Sequence, residues 1–344
     1  MTIVFYDDDD DDTADDIIEK DALSIDALIG YSILTANKFK QLPTYITIDS
    51  ESKLYVNQGE IISNVHHSEF DIIGSDDATT CLIIIIKDQD GFLSVAHIDD
   101  SCIDSYISKI TVNDDDGMVG NTSCKKYDLY ILGSYIIDSM DPGHAQNVQL
   151  ILQQFQRLPS TYILKLFYVL TANTIIVNGI STPHQQGIAY VRSLDAVVPV
   201  HFLDAHRGPM IHQRMLYSMF VRHSSIITTY DITNKTFIVH ICKQVPCSPY
   251  YISDLLKLSD DELLKQCSTS PFVERPRFVK DLREVFSLVM DAYATATTTT
   301  TSTTTTTTAT TTSINGSRSI TLMRDRPVEE SILFRCISGC WIQV

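Results

Sequence analysis

A thiol, an imidazole and a carboxylate stand at the two ends of one short stretch: Cys81, then His97 and Asp99. Between them run Leu82-Ile83-Ile84-Ile85-Ile86-Lys87 and Phe92-Leu93-Ser94-Val95-Ala96-His97-Ile98, joined by Asp88-Gln89-Asp90-Gly91. Two apolar, β-branched runs around an Asp-Gly turn predict a β-hairpin. With the loop at 88–90, Cys81 faces His97; the register two residues longer sets it opposite Asp99. Directly opposed residues share a face with Cβ atoms about 5 Å apart, as do residues two apart on one strand. Either register therefore gathers all three groups, whereas a slip of one residue would separate them.

These are the types that nucleophilic catalysis needs. A free thiol ionises near a pH of about 8.5, and an adjacent imidazole favours the reactive thiolate. Histidine can take that proton and later deliver it to a leaving amine. A carboxylate on the other ring nitrogen fixes the tautomer. Asp99 suits that orienting role or the capping of a turn. The competing account is structural, with Cys81 a small buried hydrophobe and His97 a satisfied strand residue.

The elements that must position these groups mix strands and helices. Strands are predicted at 53–57, 69–74, 81–87, 92–98, 127–133, 162–170, 187–192, 198–203, 225–231 and 235–242, all rich in Ile, Val, Tyr, Phe and Thr. One helix starts at Asp141-Pro142, with Val148, Leu152, Phe155 and Leu158 on one face. A second covers about 209–222, a third opens on the capping box Ser259-Asp260-Asp261-Glu262, and a fourth follows Pro276. Strands cluster as hairpins more than they alternate with helices. The fold class expected is α+β, with a largely antiparallel sheet or sandwich flanked by helices.

At Ile73-Gly74-Ser75-Asp76-Asp77-Ala78-Thr79-Thr80-Cys81, at His97 and Asp99, and at Ser268-Thr269-Ser270-Pro271 with Glu274, Pro276 and Phe278, the chain resembles the protein N-terminal asparagine amidohydrolase family. Weaker similarity runs through Leu54-Tyr55-Val56 and Tyr230-Asp231, so the resemblance covers roughly 40–290. It implies Cys81 as nucleophile and His97 as acid/base partner. It also implies a β-sandwich fold like that of the bacterial glutamine deamidases. The implied reaction hydrolyses the side-chain amide of an N-terminal asparagine to aspartate and ammonia through a thioester, and needs neither metal nor cofactor. The role implied is in the N-degron pathway of protein degradation. Partners would be proteins or peptides with an exposed N-terminal Asn. Three rival functions are a deamidase of internal glutamines in a folded partner, a non-catalytic module that binds N-terminal residues, and a cysteine peptidase.

Recognition of an N-terminus requires a group for the α-ammonium, and Asp76, Asp77 and Glu274 are the candidates near Cys81. The Asp pair equally suits an Asx-type turn before the strand. Thr79 and Thr80, with the backbone N–H of Cys81, are the nearest oxyanion donors. Ser268, Thr269 and Ser270 either line the substrate pocket or cap the loop before Pro271.

Composition narrows the rest. The chain has 344 residues, 43 Asp+Glu against 26 Lys+Arg and a net charge of −17, which disfavours nucleic acid as a partner. Residues 1–21 hold ten of the acids and one lysine, so the body is only mildly acidic. We expect 1–22 to be an acidic disordered tail and 23–344 a single domain, with a low-complexity Thr-rich insertion at 294–313. Eight scattered cysteines, no signal-peptide pattern and no membrane-length apolar run point to the cytoplasm, with the nucleus left open, and a monomer is expected. His201, His206 and His212 lie near Asp204 but share no helical or strand face, so solvated histidines are expected rather than a metal site.

Overall fold

The apolar run that follows Cys81 becomes the strand Leu82–Lys87, buried on both faces. Leu82, Ile84 and Ile86 enter one core with side chains of the helices Ile103–Val112 and Gly143–Phe155. Ile83 and Ile85 enter another, shared with Leu54, Ile73, Ile188 and Tyr190 of a second sheet. A strand clothed on both sides needs no polar alternation, which is why its sequence reads as an unbroken aliphatic run. The computed structural model describes residues 3–5, 16–17, 30, 32, 36, 39–47, 52–63, 65, 70–112, 125–136, 143–222, 224–242, 247–301, 329–337 and 340–344.

The first sheet runs Ile227–Thr228, Glu60–Ile62, Leu93–Ile98, Leu82–Lys87, Lys126–Gly133, Thr161–Val169, Ile3–Phe5 and Asp16–Ile17. The second runs Tyr45–Ile46, Ala196–His201, Ile188–Val191, Ile72–Ser75 and Lys53–Tyr55. Helices Ile211–Phe220, Pro249–Lys257, Asp260–Cys267 and Arg277–Thr301 form a separate apolar cluster around Leu216, Leu263, Val285 and Phe286. The class is thus mixed α+β. Antiparallel pairings predominate, but both sheets are mixed. Lys126–Gly133 and Thr161–Val169 pair in parallel because the helix Gly143–Phe155 carries the chain back across the sheet. Hairpin reasoning, which pairs neighbours in sequence, does not see that crossover.

Other expectations shift in detail. The capping box is present, Ser259 accepting from Glu262 N–H while Glu262 accepts from Ser259 N–H. Asp141-Pro142 lies outside the described residues, but Val148, Leu152, Phe155 and Leu158 are all buried. Within the acidic tail, Ile3–Phe5 pairs in parallel with Tyr162–Leu164 and Asp16–Ile17 forms the outer edge of the sheet beside it. The fourth helix continues to Thr301, into the Thr-rich segment, since extending a packed helix is easier than nucleating one; 302–328 lie outside the described residues. The histidines are not simply solvated. His206 is buried with Nδ1 2.8 Å from Thr47 Oγ1, and His212 Nε2 sits 2.9 Å from Asp281 Oδ1. No helix among the described residues is long and apolar enough to cross a membrane.

Candidate active site

The hairpin takes the longer of the two registers, pairing Ile83 with His97 and Leu82 with Ile98. Cys81 precedes the first paired residue and Asp99 follows the last, at the open end of the hairpin. Odd-numbered side chains there face the second sheet, as the alternation of Ile83 and Ile85 shows. On the other side, the backbone of Gly133 presses against Cys81. Ser134 N–H donates to Cys81 O at 2.9 Å, and a Cβ on Gly133 would lie 2.1 Å from that oxygen. Gly133 also has φ of +125°, a conformation that side-chain-bearing residues rarely adopt.

His97 is buried, and its Nδ1 lies 2.8 Å from Ser75 Oγ, at the end of the strand Ile72–Ser75. That hydroxyl donates its own proton to Val56 O at 2.5 Å. A carbonyl can only accept, so the Ser75 oxygen accepts from Nδ1–H. The ring is thereby held in the Nδ1–H tautomer, with its Nε2 lone pair free of any partner among the described residues. No hydrogen bond joins Cys81 and His97. Burial depresses His97 to about 4 despite the opposing fields of Asp76 and Asp99. Desolvation of the Cys81 sulfur, then Asp99 and Cys102, push its thiol well up, against the pull of Arg222. The resting pair is therefore a neutral thiol beside a neutral imidazole.

Cys81 and His97 line a cavity of about 350 Å³ together with Asp76, Asp77, Thr79, Thr80, Asp99, Ser268, Thr269 and Glu274. The two sequence blocks, far apart in the chain, close on each other here. Thr80 Oγ1 is 3.2 Å from Thr269 Oγ1, and Ser268 Oγ donates to Glu274 Oε1 at 2.6 Å. Ser270 is buried behind the wall, its N–H donating to Ser268 Oγ at 2.9 Å. Thr79 is buried too. The Cys81 N–H has no partner among the described residues.

Asp76 and Asp77 meet a dense set of guanidinium groups. Asp76 is fully buried; its Oδ2 accepts from Phe202 N–H at 2.9 Å and Arg275 Nη1 at 3.2 Å, and its Oδ1 from Arg277 Nη2 at 3.2 Å. Burial alone would raise its pKa. The hydrogen bond from His201 and the charges of Arg277, Arg275 and Arg207 outweigh that, holding it at about 2. Asp77 has φ of +63° and pairs with Arg207 Nη2 at 3.4 Å, Arg275 Nε at 3.0 Å and Arg277. Asp99 makes no hydrogen bond to either ring nitrogen. It caps the turn after the hairpin, accepting from Ser101 N–H at 3.1 Å, and pairs with Arg222 and with Gln58 Nε2 at 3.1 Å. A buried bidentate pair, Arg214 with Glu60 at 2.9 and 2.5 Å, ties the helix Ile211–Phe220 to the strand beside His97.

Sequence reasoning named neither Ser75 nor the arginines. Ser75 lies inside the first block, yet a lone serine carries no signal until the second sheet brings it to His97. Arg275 and Arg277 flank Pro276 in the second block. Two arginines so close together, in a chain this acidic, could have pointed to carboxylates needing counter-charge. Among the described residues no group of three His, Cys, Asp or Glu side chains is disposed to hold a metal ion.

A family profile described as protein N-terminal asparagine amidohydrolase matches residues 44–311, which include both blocks. A protein of that name from Arabidopsis thaliana is 27% identical over 281 residues, spanning 73% of this chain and 79% of its own length. Proteins of the same name from Mus musculus and Homo sapiens are each 24% identical, spanning 69% of this chain and 74% of theirs.

Proposed function

The chain belongs to the protein N-terminal asparagine amidohydrolase family of enzymes, and on that premise we propose that it hydrolyses the side-chain amide of an N-terminal asparagine, with Cys81 as nucleophile and His97 as its acid and base. The observation that carries this reading is the unpartnered Nε2 of His97, in the same cavity as Cys81, with Nδ1 anchored by Ser75. A neutral imidazole with a free lone pair is the state that can accept a thiol proton. As Sγ bonds to the carboxamide carbon, its proton passes to Nε2 and the carbonyl electrons move onto oxygen. The free N–H of Cys81 supports a role as oxyanion donor, with Thr79 and Thr80 beside it. Collapse breaks the C–N bond, and the leaving nitrogen takes the proton from Nε2 to depart as ammonia. Water then adds to the thioester, giving a proton to Nε2, which returns it to the departing sulfur. The products are aspartate and a restored thiol.

Within this proposal the fold is a sandwich of the bacterial glutamine-deamidase kind, supported by the core that the two sheets share. The protein acts as a monomer of one domain over 23–344, in the cytoplasm, with protein substrates and not nucleic acid. Its product, an N-terminal aspartate, feeds the N-degron pathway. The test is ammonia release from an Asn-initiated peptide, with conversion to Asp followed by mass spectrometry. Cys81→Ala is expected to abolish it; release at the wild-type rate would remove Cys81 from the mechanism. Release only from internal glutamines of a folded protein would favour the glutamine-deamidase reading.

A further inference from the structure

We propose that Glu274 receives the substrate's α-ammonium and so sets the requirement for an unblocked N-terminus, an inference that rests on the amidohydrolase reading. Asp76 and Asp77 are held by Arg207, Arg275 and Arg277. Asp99 is held by Arg222, and Asp281 by Arg207 and His212. Asp100 is exposed, where water serves it. Glu274 is half-buried and lines the cavity with Cys81, yet among the described residues its one polar partner is the Ser268 hydroxyl. A desolvated carboxylate with no counter-ion is unfavourable unless it holds a proton or meets a cation.

The groups facing Glu274 deepen that need. Asp77 and Cys81 approach from the first block, Tyr135 from beyond the strand Lys126–Gly133, and Ser268 from its own loop. Burial raises Glu274 to about 7; the Ser268 bond opposes the rise and Asp77 adds to it. An ammonium seated there would let the carboxylate ionise. It would also cancel a negative charge that works against the Cys81 thiolate. Only a substrate with a free α-amino group supplies that cation. Acetylation removes it.

The experiment compares an Asn-initiated peptide with its desamino analogue, which keeps the carboxamide and lacks the nitrogen. Wild-type kcat/KM should favour the amino peptide on the order of a hundredfold or more. Glu274→Gln should bring the two within about tenfold, chiefly by slowing the amino peptide, and Glu274→Asp should restore part of the ratio. An unchanged ratio in Glu274→Gln overturns the proposal. Calorimetry on Cys81→Ala keeps the two readings separable. At pH 7 the amino peptide should bind with proton release, seen as a dependence of the binding enthalpy on buffer. Adding Glu274→Gln should weaken it about tenfold or more. Peptide that binds Cys81→Ala equally well with and without Glu274 refutes the ammonium site. Absence of ammonia release from the wild type refutes the hydrolase reading alone.

Discussion

Ser75 Oγ stands 2.8 Å from His97 Nδ1 while donating to Val56 O, so one buried hydroxyl fixes the tautomer of the imidazole beside Cys81. Asp99, the carboxylate nearest in sequence, hydrogen-bonds to neither ring nitrogen. Ser75→Ala would leave both Nδ1–H and the Val56 carbonyl unpartnered, at a cost of about 1–3 kcal/mol in stability. Loss of the orienting bond is expected to lower kcat on the order of 10- to 100-fold with little change in KM. Steady-state ammonia release and denaturant unfolding on the same preparation separate the two effects. Wild-type kcat in Ser75→Ala would mean that the hydroxyl is structural only.

The pH dependence of kcat/KM should be set by Glu274 rather than by His97. His97, depressed to about 4, stays a neutral base throughout the useful range. Glu274, raised to about 7, must lose its proton to bind an ammonium, so kcat/KM falls as pH drops through that value. The substrate amine deprotonates near a pH of about 8, which limits the alkaline side. Initial rates from pH 5 to pH 9 should therefore trace a narrow bell on the scale of these two groups. In Glu274→Gln the acid limb near pH 7 disappears and activity holds to lower pH. Persistence of that limb in the variant would assign it to another group.

The hairpin was legible because its evidence is local: an aliphatic run, an Asp-Gly turn and period-two alternation put Cys81, His97 and Asp99 on one face. The choice between its two registers was not, because both satisfy that alternation; packing against Gly133 and Ser134 accompanies the longer one. The β-α-β crossover through Gly143–Phe155 and the strand at Ile3–Phe5 depend on partners distant in sequence. So do the two features that decide the site's electrostatics. Ser75 reaches His97 only because the two sheets share a core. Asp76 and Asp77 are spent on arginines nearly two hundred residues away. Sequence marks which side chains can do chemistry; which of them remain free to do it is settled by long-range pairing.

The Asp76 network gives a stability prediction that owes nothing to catalysis. Its pKa is lowered from the ordinary 3.8 to about 2, so the stabilisation it provides is present above pH 3.8 and is lost as pH falls through about 2. Asp76→Asn leaves Arg275 and Arg277 short of counter-charge in a buried setting. The expected loss is about 3–5 kcal/mol at pH 7, measured by urea unfolding at constant m. The difference from wild type should shrink in acid, where the native carboxylate also becomes neutral. A loss below about 1 kcal/mol would show that the arginines are adequately held by Asp77, Asp204 and Asp281 without it.

Gly133→Ala tests the wall behind the nucleophile. At φ of +125° a side chain is strained, and its Cβ would sit 2.1 Å from Cys81 O and 3.1 Å from Leu82 Cα. Both obstacles are backbone atoms, so no rotamer change relieves them. The conformational strain alone is worth about 1–3 kcal/mol, and relief of the clash must move the strand Lys126–Gly133 away from Cys81. We expect a lower melting temperature together with a loss of activity larger than the unfolded fraction accounts for, because the strand that moves is the one that braces the Cys81 backbone. Melting by circular dichroism, with ammonia release measured well below the transition, distinguishes displacement from simple unfolding. If Gly133→Ala melts and turns over like the wild type, the close approach of these two backbone segments is not what positions the thiol.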